Sequence, residues 1–256
     1  MIVAERPTGR GETSSRVRGL AAEGETEMKT IAAFALAIAA AGGVATAQPY
    51  VVRGEFNGWG AGGDVPMFEN PVGSGRWTGL VMGLVPGALY EFKATTTDWS
   101  FNAPGSNARA AANALGQLVV HFFPSTLWGD GWNPTSGPRL GYEDPGQYGW
   151  ELMGSINGWT APFGTLTLSG GVYSALVAVP AGTYEFKFRK TGDWGVSIGA
   201  DFGNAAPNAT FSTTGANPVQ FELDLANGRW RAFEIPSPGV LALMGLGALA
   251  ASRRRR

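Results

Sequence analysis

The sequence predicts an all-β protein built as two tandem β-sandwiches, and three observations carry that expectation. A series of motifs occurs twice in the same order: Phe56-Asn57-Gly58-Trp59, Tyr90-Glu91-Phe92-Lys93 and Asp98-Trp99 return as Ile156-Asn157-Gly158-Trp159, Tyr184-Glu185-Phe186-Lys187 and Asp193-Trp194. Self-similarity at one period marks two copies of one structural unit. The 256 residues include 39 Gly and 16 Pro, and only 15% are charged, which favours short strands and many turns over long helices. Alternation is strict in Tyr184-Glu185-Phe186-Lys187-Phe188-Arg189, with aromatics on one side and charges on the other, and Tyr90–Ala94 repeats it. Period two is the mark of a half-buried strand.

The elements follow in chain order. Residues 1–27 are polar and read as an upstream extension; the alternative is a cytoplasmic segment ahead of a signal anchor. Met28-Lys29 opens a basic start, Ile31 to Val44 is apolar, and Ala45-Thr46-Ala47 supplies small residues for cleavage. Residues 28–47 therefore read as a secretory signal helix, with signal peptidase leaving Gln48 as the new N-terminus. The first repeat spans 48–133, with strands expected at Val51–Phe56, Trp77–Met82, Tyr90–Ala94 and Gln117–Phe123. A Gly- and Pro-rich linker is expected over 134–147. The second repeat spans 148–234, with strands at Trp150–Ile156, Val172–Val179, Tyr184–Arg189, Val219–Asp224 and Arg229–Phe233. Pro86-Gly87 and Pro180-Ala181-Gly182 supply the turns that launch the two alternating strands.

The segment 235–256 has three parts: Pro236-Ser237-Pro238-Gly239, the apolar run Val240 to Ala251, and Arg253-Arg254-Arg255-Arg256. As a helix, the run from Gly239 to Ser252 would reach about 21 Å against a hydrocarbon core of about 30 Å. The arginines hold that end in the cytoplasm. The layout resembles the PEP-CTERM sorting signal, with Ser237 where the motif carries Glu. The resemblance implies export, transient membrane association through a hydrophobic sorting helix, removal by an exosortase-type protease and delivery to the cell surface. A plain transmembrane tail anchor is the alternative.

Composition excludes several classes of function. Between 48 and 235 there are 10 Lys and Arg against 15 Asp and Glu, a net charge of −5, so a nucleic-acid backbone is a poor partner. There is no Cys, which removes thiolate nucleophiles and thiolate metal sites. His121 is the single histidine and lies in a strand-like run, where a packed residue is the ordinary expectation. No motif pairs two carboxylates across a cleft, and no phosphate-binding loop appears. Asp64, Asp98, Asp130 and Asp201 offer loop oxygens without calcium-loop spacing. The expectation is a protein with no catalysis, no cofactor and no metal.

The paired motifs resemble the glycogen-binding domain of AMP-activated kinase β-subunits, and similar domains of pullulanases and starch-utilisation surface proteins. The resemblance covers both repeats. It implies immunoglobulin-like sandwiches of the early-set, carbohydrate-binding type, in which two Trp form a platform for an α-glucan while a Lys and an Asn bond its hydroxyls. The implied carbohydrate-binding residues are Trp59, Lys93 and Trp99 with Asn107 or Asn113 in the first copy, and Trp159, Lys187, Trp194 and Asn208 in the second. The physics agrees, because a pyranose has an apolar C–H face and a rim of hydroxyls and so suits flat aromatics beside a few polar groups. A plainer reading has the Trp closing turns against the sandwich edge and the Lys simply facing solvent. Two functions follow: non-catalytic binding of an α-glucan or related extracellular polysaccharide, or a structural or adhesive matrix protein that uses the sandwiches as spacers.

Overall fold

Strands form wherever the alternating runs predict them, and eight further segments join them. The computed structural model describes residues 49–236 apart from 126–127 and 145–147. The extension at 1–27, the signal helix at 28–47 and the sorting tail from Ser237 onward lie outside the described residues. The first half carries β1 (Val51–Gly54), β2 (Val65–Pro66), β3 (Phe68–Glu69), β4 (Trp77–Val81), β5 (Leu89–Thr95), β6 (Asn102–Ala111), β7 (Leu118–Phe123) and β8 (Arg139–Tyr142). The second carries β9 (Trp150–Gly154), β10 (Gly164–Thr165), β11 (Thr167–Ser169), β12 (Val172–Val177), β13 (Gly182–Lys190), β14 (Asp193–Ile198), β15 (Ala209–Thr213), β16 (Val219–Asp224) and β17 (Arg229–Glu234). Among the described residues no helix is long and apolar enough to cross a membrane.

The strands make four small antiparallel sheets, ordered β2-β1-β5-β6, β3-β4-β7-β8, β10-β9-β13-β14 with β15 also on β13, and β11-β12-β16-β17. This corrects the expected architecture: the sheets are arranged as a β-propeller-like ring of four, and not as two immunoglobulin-like sandwiches. The physical reason is the core. Alternation tells each strand which face to bury but not which sheet that face will meet. Here the buried residues of both halves form one continuous cluster, from Val52, Phe92 and Phe122 through Tyr142 to Phe186, Phe221 and Trp230. Tyr142 lies 5.9 Å from Phe92 and 6.4 Å from Phe202, so aromatic packing passes from one half to the other without a break.

Two segments sew the halves together. The stretch read as a linker contains β8, whose Tyr142 N–H donates to Leu225 O at 2.9 Å. Just before it, Asn133 and Trp230 exchange backbone hydrogen bonds of 2.7 and 2.9 Å. In the second half, residues 199–208 leave the sheet between β14 and β15. Phe202 from this excursion is fully buried, and Asn204 N–H donates to Asn107 O of β6 at 2.7 Å. Strand β6 itself had no sequence signal, since Asn-Ala-Pro-Gly-Ser-Asn-Ala-Arg-Ala-Ala has neither alternation of large residues nor β-branching. It forms because β5 offers a ladder and the small Ala108 and Ala110 fit a crowded interior.

Candidate functional site

The Asn-Gly-Trp turn follows β1 in the first half and β9 in the second, and its geometry explains its residues. Gly54 and Gly154 end those strands where a Cβ would stand 2.3 Å from Glu91 O and 2.6 Å from Glu185 O. Only glycine lets the turn approach the neighbouring strand so closely. Asn57 then ties the turn, accepting from Gly54 N–H at 2.9 Å and donating to Gly63 O at 2.9 Å. Asn157 likewise donates to Ala161 O at 2.7 Å. Gly58 and Trp59 both take left-handed backbone, at φ 55° and 57°, and Gly158 and Trp159 repeat this at 66° and 64°. A left-handed Trp is strained, and such strain persists only where the surroundings enforce it. The indole that follows is half-buried in both halves.

The second indole of each half meets the first. Trp59 and Trp99 have ring centroids 6.5 Å apart with planes tilted by 39°; Trp159 and Trp194 are 6.0 Å apart and tilted by 47°. Trp99 is 39% exposed and Trp194 46%, while Trp59 and Trp159 are half-buried. Asp98 fixes the Trp99 turn by accepting from Ser100 N–H at 3.0 Å and Ser100 Oγ–H at 2.7 Å. Hydrogen bonds from Thr96 and Ser100 pull the Asp98 carboxyl down to about 2. Asp193 holds the other turn by accepting from Gly195 N–H at 2.7 Å and Lys190 Nζ at 2.9 Å.

An arginine backs each indole pair, and sequence reasoning missed both. The Arg53 guanidinium lies 4.9 Å from the Trp99 ring centroid, and that of Arg189 lies 4.7 Å from Trp194. Such cation–π contacts contribute about 0.5–2 kcal/mol depending on desolvation. Asp64 grips Arg53 through two bonds of 2.5 and 2.8 Å, and Glu151 grips Arg189. The bond from Arg53 holds the Asp64 carboxyl below its ordinary value despite burial. The two arginines occupy different places in the repeat. Arg53 is on β1 opposite Lys93, whereas Arg189 is on β13 opposite Glu151.

The remaining polar residues stand on the same outer face. Cross-strand partners and positions two apart share a face, which places Arg53, Glu91, Lys93 and Arg109 together, and likewise Glu185, Lys187 and Arg189. Asn107 Nδ2 donates to Glu91 Oε2 at 2.8 Å, and Asn208 Nδ2 donates to Glu185 Oε2 at 3.1 Å. That matching bond makes Asn107 the positional counterpart of Asn208. Asn113 instead caps a loop, accepting from Leu115 and Gln117 N–H. Burial lowers the Lys93 and Lys187 ammonium pKa values, and Asp201 pulls both the other way. One carboxylate of the second half thus acts on the equivalent lysine of each half. Each half therefore presents a row in which the sequence-predicted Trp, Trp, Lys and Asn come together, joined by an Arg and a Glu.

Away from these rows, His121 is fully buried on β7. Its ring lies 3.1 Å from Thr78 Oγ1, 2.8 Å from Arg76 Nη2 and 2.6 Å from Glu143 Oε1. Among the described residues no group of three or more His, Asp or Glu is placed to hold a metal ion. Asp64 and Asp130 of the loop carboxylates are taken by arginines.

No family model matches the chain, and no curated protein matches it. Among solved structures, SusF from Bacteroides thetaiotaomicron aligns over 75% of this chain and 73% of its own, with 12% identity and a TM-score of 0.25. A likeness of that size assigns no residue a role. The glutamates of the two rows were legible as parts of the repeated Tyr-Glu-Phe-Lys motif, although only their lysines drew attention. Arg53 and Arg189 lacked such a signal because they do not align between the repeats. Asp201 lacked one because its excursion has no counterpart of equal length in the first half.

Proposed function

We propose that the protein binds an α-glucan or a related extracellular polysaccharide, without catalysing a reaction on it, at an outer-face row of tilted indoles and polar groups. The observation that carries this reading is the pairing of half-exposed Trp rings at 6.0–6.5 Å, each pair backed by a clamped arginine and flanked by a Lys and a Glu-held Asn. Rings used only to close a turn gain nothing from being held in strained backbone and left open to solvent. A tilted pair makes a curved apolar platform, which suits the bend of an α-linked chain better than a flat one.

Covering about 100 Å² of a sugar's apolar face contributes about 2.5 kcal/mol before ordering costs. With two hydrogen bonds the affinity falls between millimolar and tens of micromolar. Weak contact of this kind suits a polymer that offers many equivalent positions. The signal segment at 28–47 and the arginine-flanked tail extend the proposal to export and display at the cell envelope, with signal peptidase and an exosortase-type protease as processing partners. Affinity electrophoresis of the chain in gels containing soluble amylopectin tests the binding. The unaltered protein is expected to be retarded and Trp194→Ala to migrate freely while keeping its far-UV circular dichroism. Equal migration of the two, with no retardation across several glucans, would favour the matrix-spacer reading.

A further inference from the structure

Resting on that reading, we infer that the two rows are unequal: the second half carries the working site, and the first half's copy is locked as a brace that completes it. The lysines show the difference. An ammonium group has three N–H donors. Those of Lys93 are matched by three acceptors, Asn102 Oδ1 at 3.0 Å, Pro104 O at 2.8 Å and Gly105 O at 2.7 Å. Nothing is left over for a sugar hydroxyl. Among the described residues no acceptor lies within hydrogen-bond distance of Lys187 Nζ, although this group is half-buried and partly desolvated. Its N–H donors face water, and a hydroxyl-rich ligand can take them without breaking a bond within the protein.

The chain path explains why one lysine is spent and the other is not. In the first half, β6 bulges from its register with β5 between Ala103 and Ala108, and its carbonyls at Pro104 and Gly105 accept from Lys93. In the second half the corresponding segment is the longer 199–208 excursion, which turns away toward the first half. Its Asp201 accepts from Ser106 N–H at 3.2 Å and Gly203 N–H at 2.9 Å, and it acts on Lys187 through charge and not through a hydrogen bond. The first half then contributes directly to the second row. Arg109 Nη1 on β6 donates to Gly195 O at 2.9 Å, next to Trp194, and its charge helps hold Asp193 ionised.

Two measurements on the full chain test this. Competitive acetylation followed by peptide mass spectrometry should modify Lys187 several-fold faster than Lys93, because the Lys93 amine must first break its three bonds. Equal rates, or a slower Lys187, would overturn the inference. Binding to soluble amylopectin should weaken roughly tenfold or more in Lys187→Met, the loss of a charge-assisted bond. A short malto-oligosaccharide should saturate at one equivalent per chain. A loss of less than about twofold in Lys187→Met, or two equivalents bound, would overturn it. Failure of the unaltered chain to bind any glucan would remove the polysaccharide reading itself, and the labelling ratio would still decide whether the lysines differ.

Discussion

At the scale of single residues, the site depends on positions that a substitution table would treat as unimportant. Gly154 is the clearest case. A Cβ there would stand 2.6 Å from Glu185 O and 2.9 Å from the Phe163 ring, so Gly154→Ala must push two strands apart. The expected cost is about 1–3 kcal/mol, measured as a lower urea midpoint, together with weaker glucan retention as the Trp159 turn shifts. An unchanged midpoint would contradict the close approach. The repeated Trp, Lys and Asn were legible because their chemistry stands out and their order recurs. Their arginine partners were hidden for a physical reason. A cation under an indole needs only a place in space, and the first half supplies it from β1 while the second supplies it from β13. A search for matching positions cannot see that exchange.

At the scale of elements, the segment leading into β8 acts as a clasp and not as a free connection. Arg139 is 2% exposed and bonds Asp130 through 2.7 and 3.0 Å contacts while stacking 4.1 Å from Trp128. Asp130 also reaches Arg229 of β17 at 3.2 Å, and Arg229 and Arg231 stack on Trp132. Replacing Asp130 by Asn leaves a buried guanidinium short of its counter-charge, and the expected loss is about 2–4 kcal/mol by urea titration. No loss would show that the clasp is dispensable. Glycine and proline content predicts a linker over 134–147, which holds Arg139, because composition reports turns but not the ion pairs that tie them down. His121 on β7 gives the strands a pH dependence. Burial is the main cause holding its pKa below 6.5, with Arg76 acting the same way and the Glu143 bond opposing them. A histidine favoured neutral in the fold contributes fully above the unfolded value of 6.5 and loses that contribution as pH falls below it. Urea midpoints should therefore drop between about pH 7.5 and 5.5 in the native chain and drop less in His121→Gln. Identical slopes would remove His121 as the cause.

At the scale of the whole molecule, the duplication visible in the sequence is real, yet the halves do not behave as separate bodies. Local alternation fixed the faces of β5 and β13, which is why the strands were legible. How four sheets share one interior depends on Tyr142, Phe202 and the 199–208 excursion, none of which has a local signature. Phe202 is the sharpest test of the shared core. It is 1% exposed and packs near Tyr142, at the meeting of the halves. Phe202→Ala should cost about 3–5 kcal/mol and speed amide exchange in β6 as well as in β14. A response confined to the second half would mean two independent cores. The same joint bears on the unequal rows, since the 199–208 excursion lies where the first half has the Pro104 and Gly105 carbonyls that hold Lys93.

The most direct measurement follows the indole N–H resonances of the nine Trp while the protein is titrated with maltoheptaose. The account predicts saturable shifts at Trp159 and Trp194, with the core rings Trp150 and Trp230 unmoved. Shifts absent from Trp159 and Trp194 at saturating sugar, or confined to rings elsewhere, would contradict it.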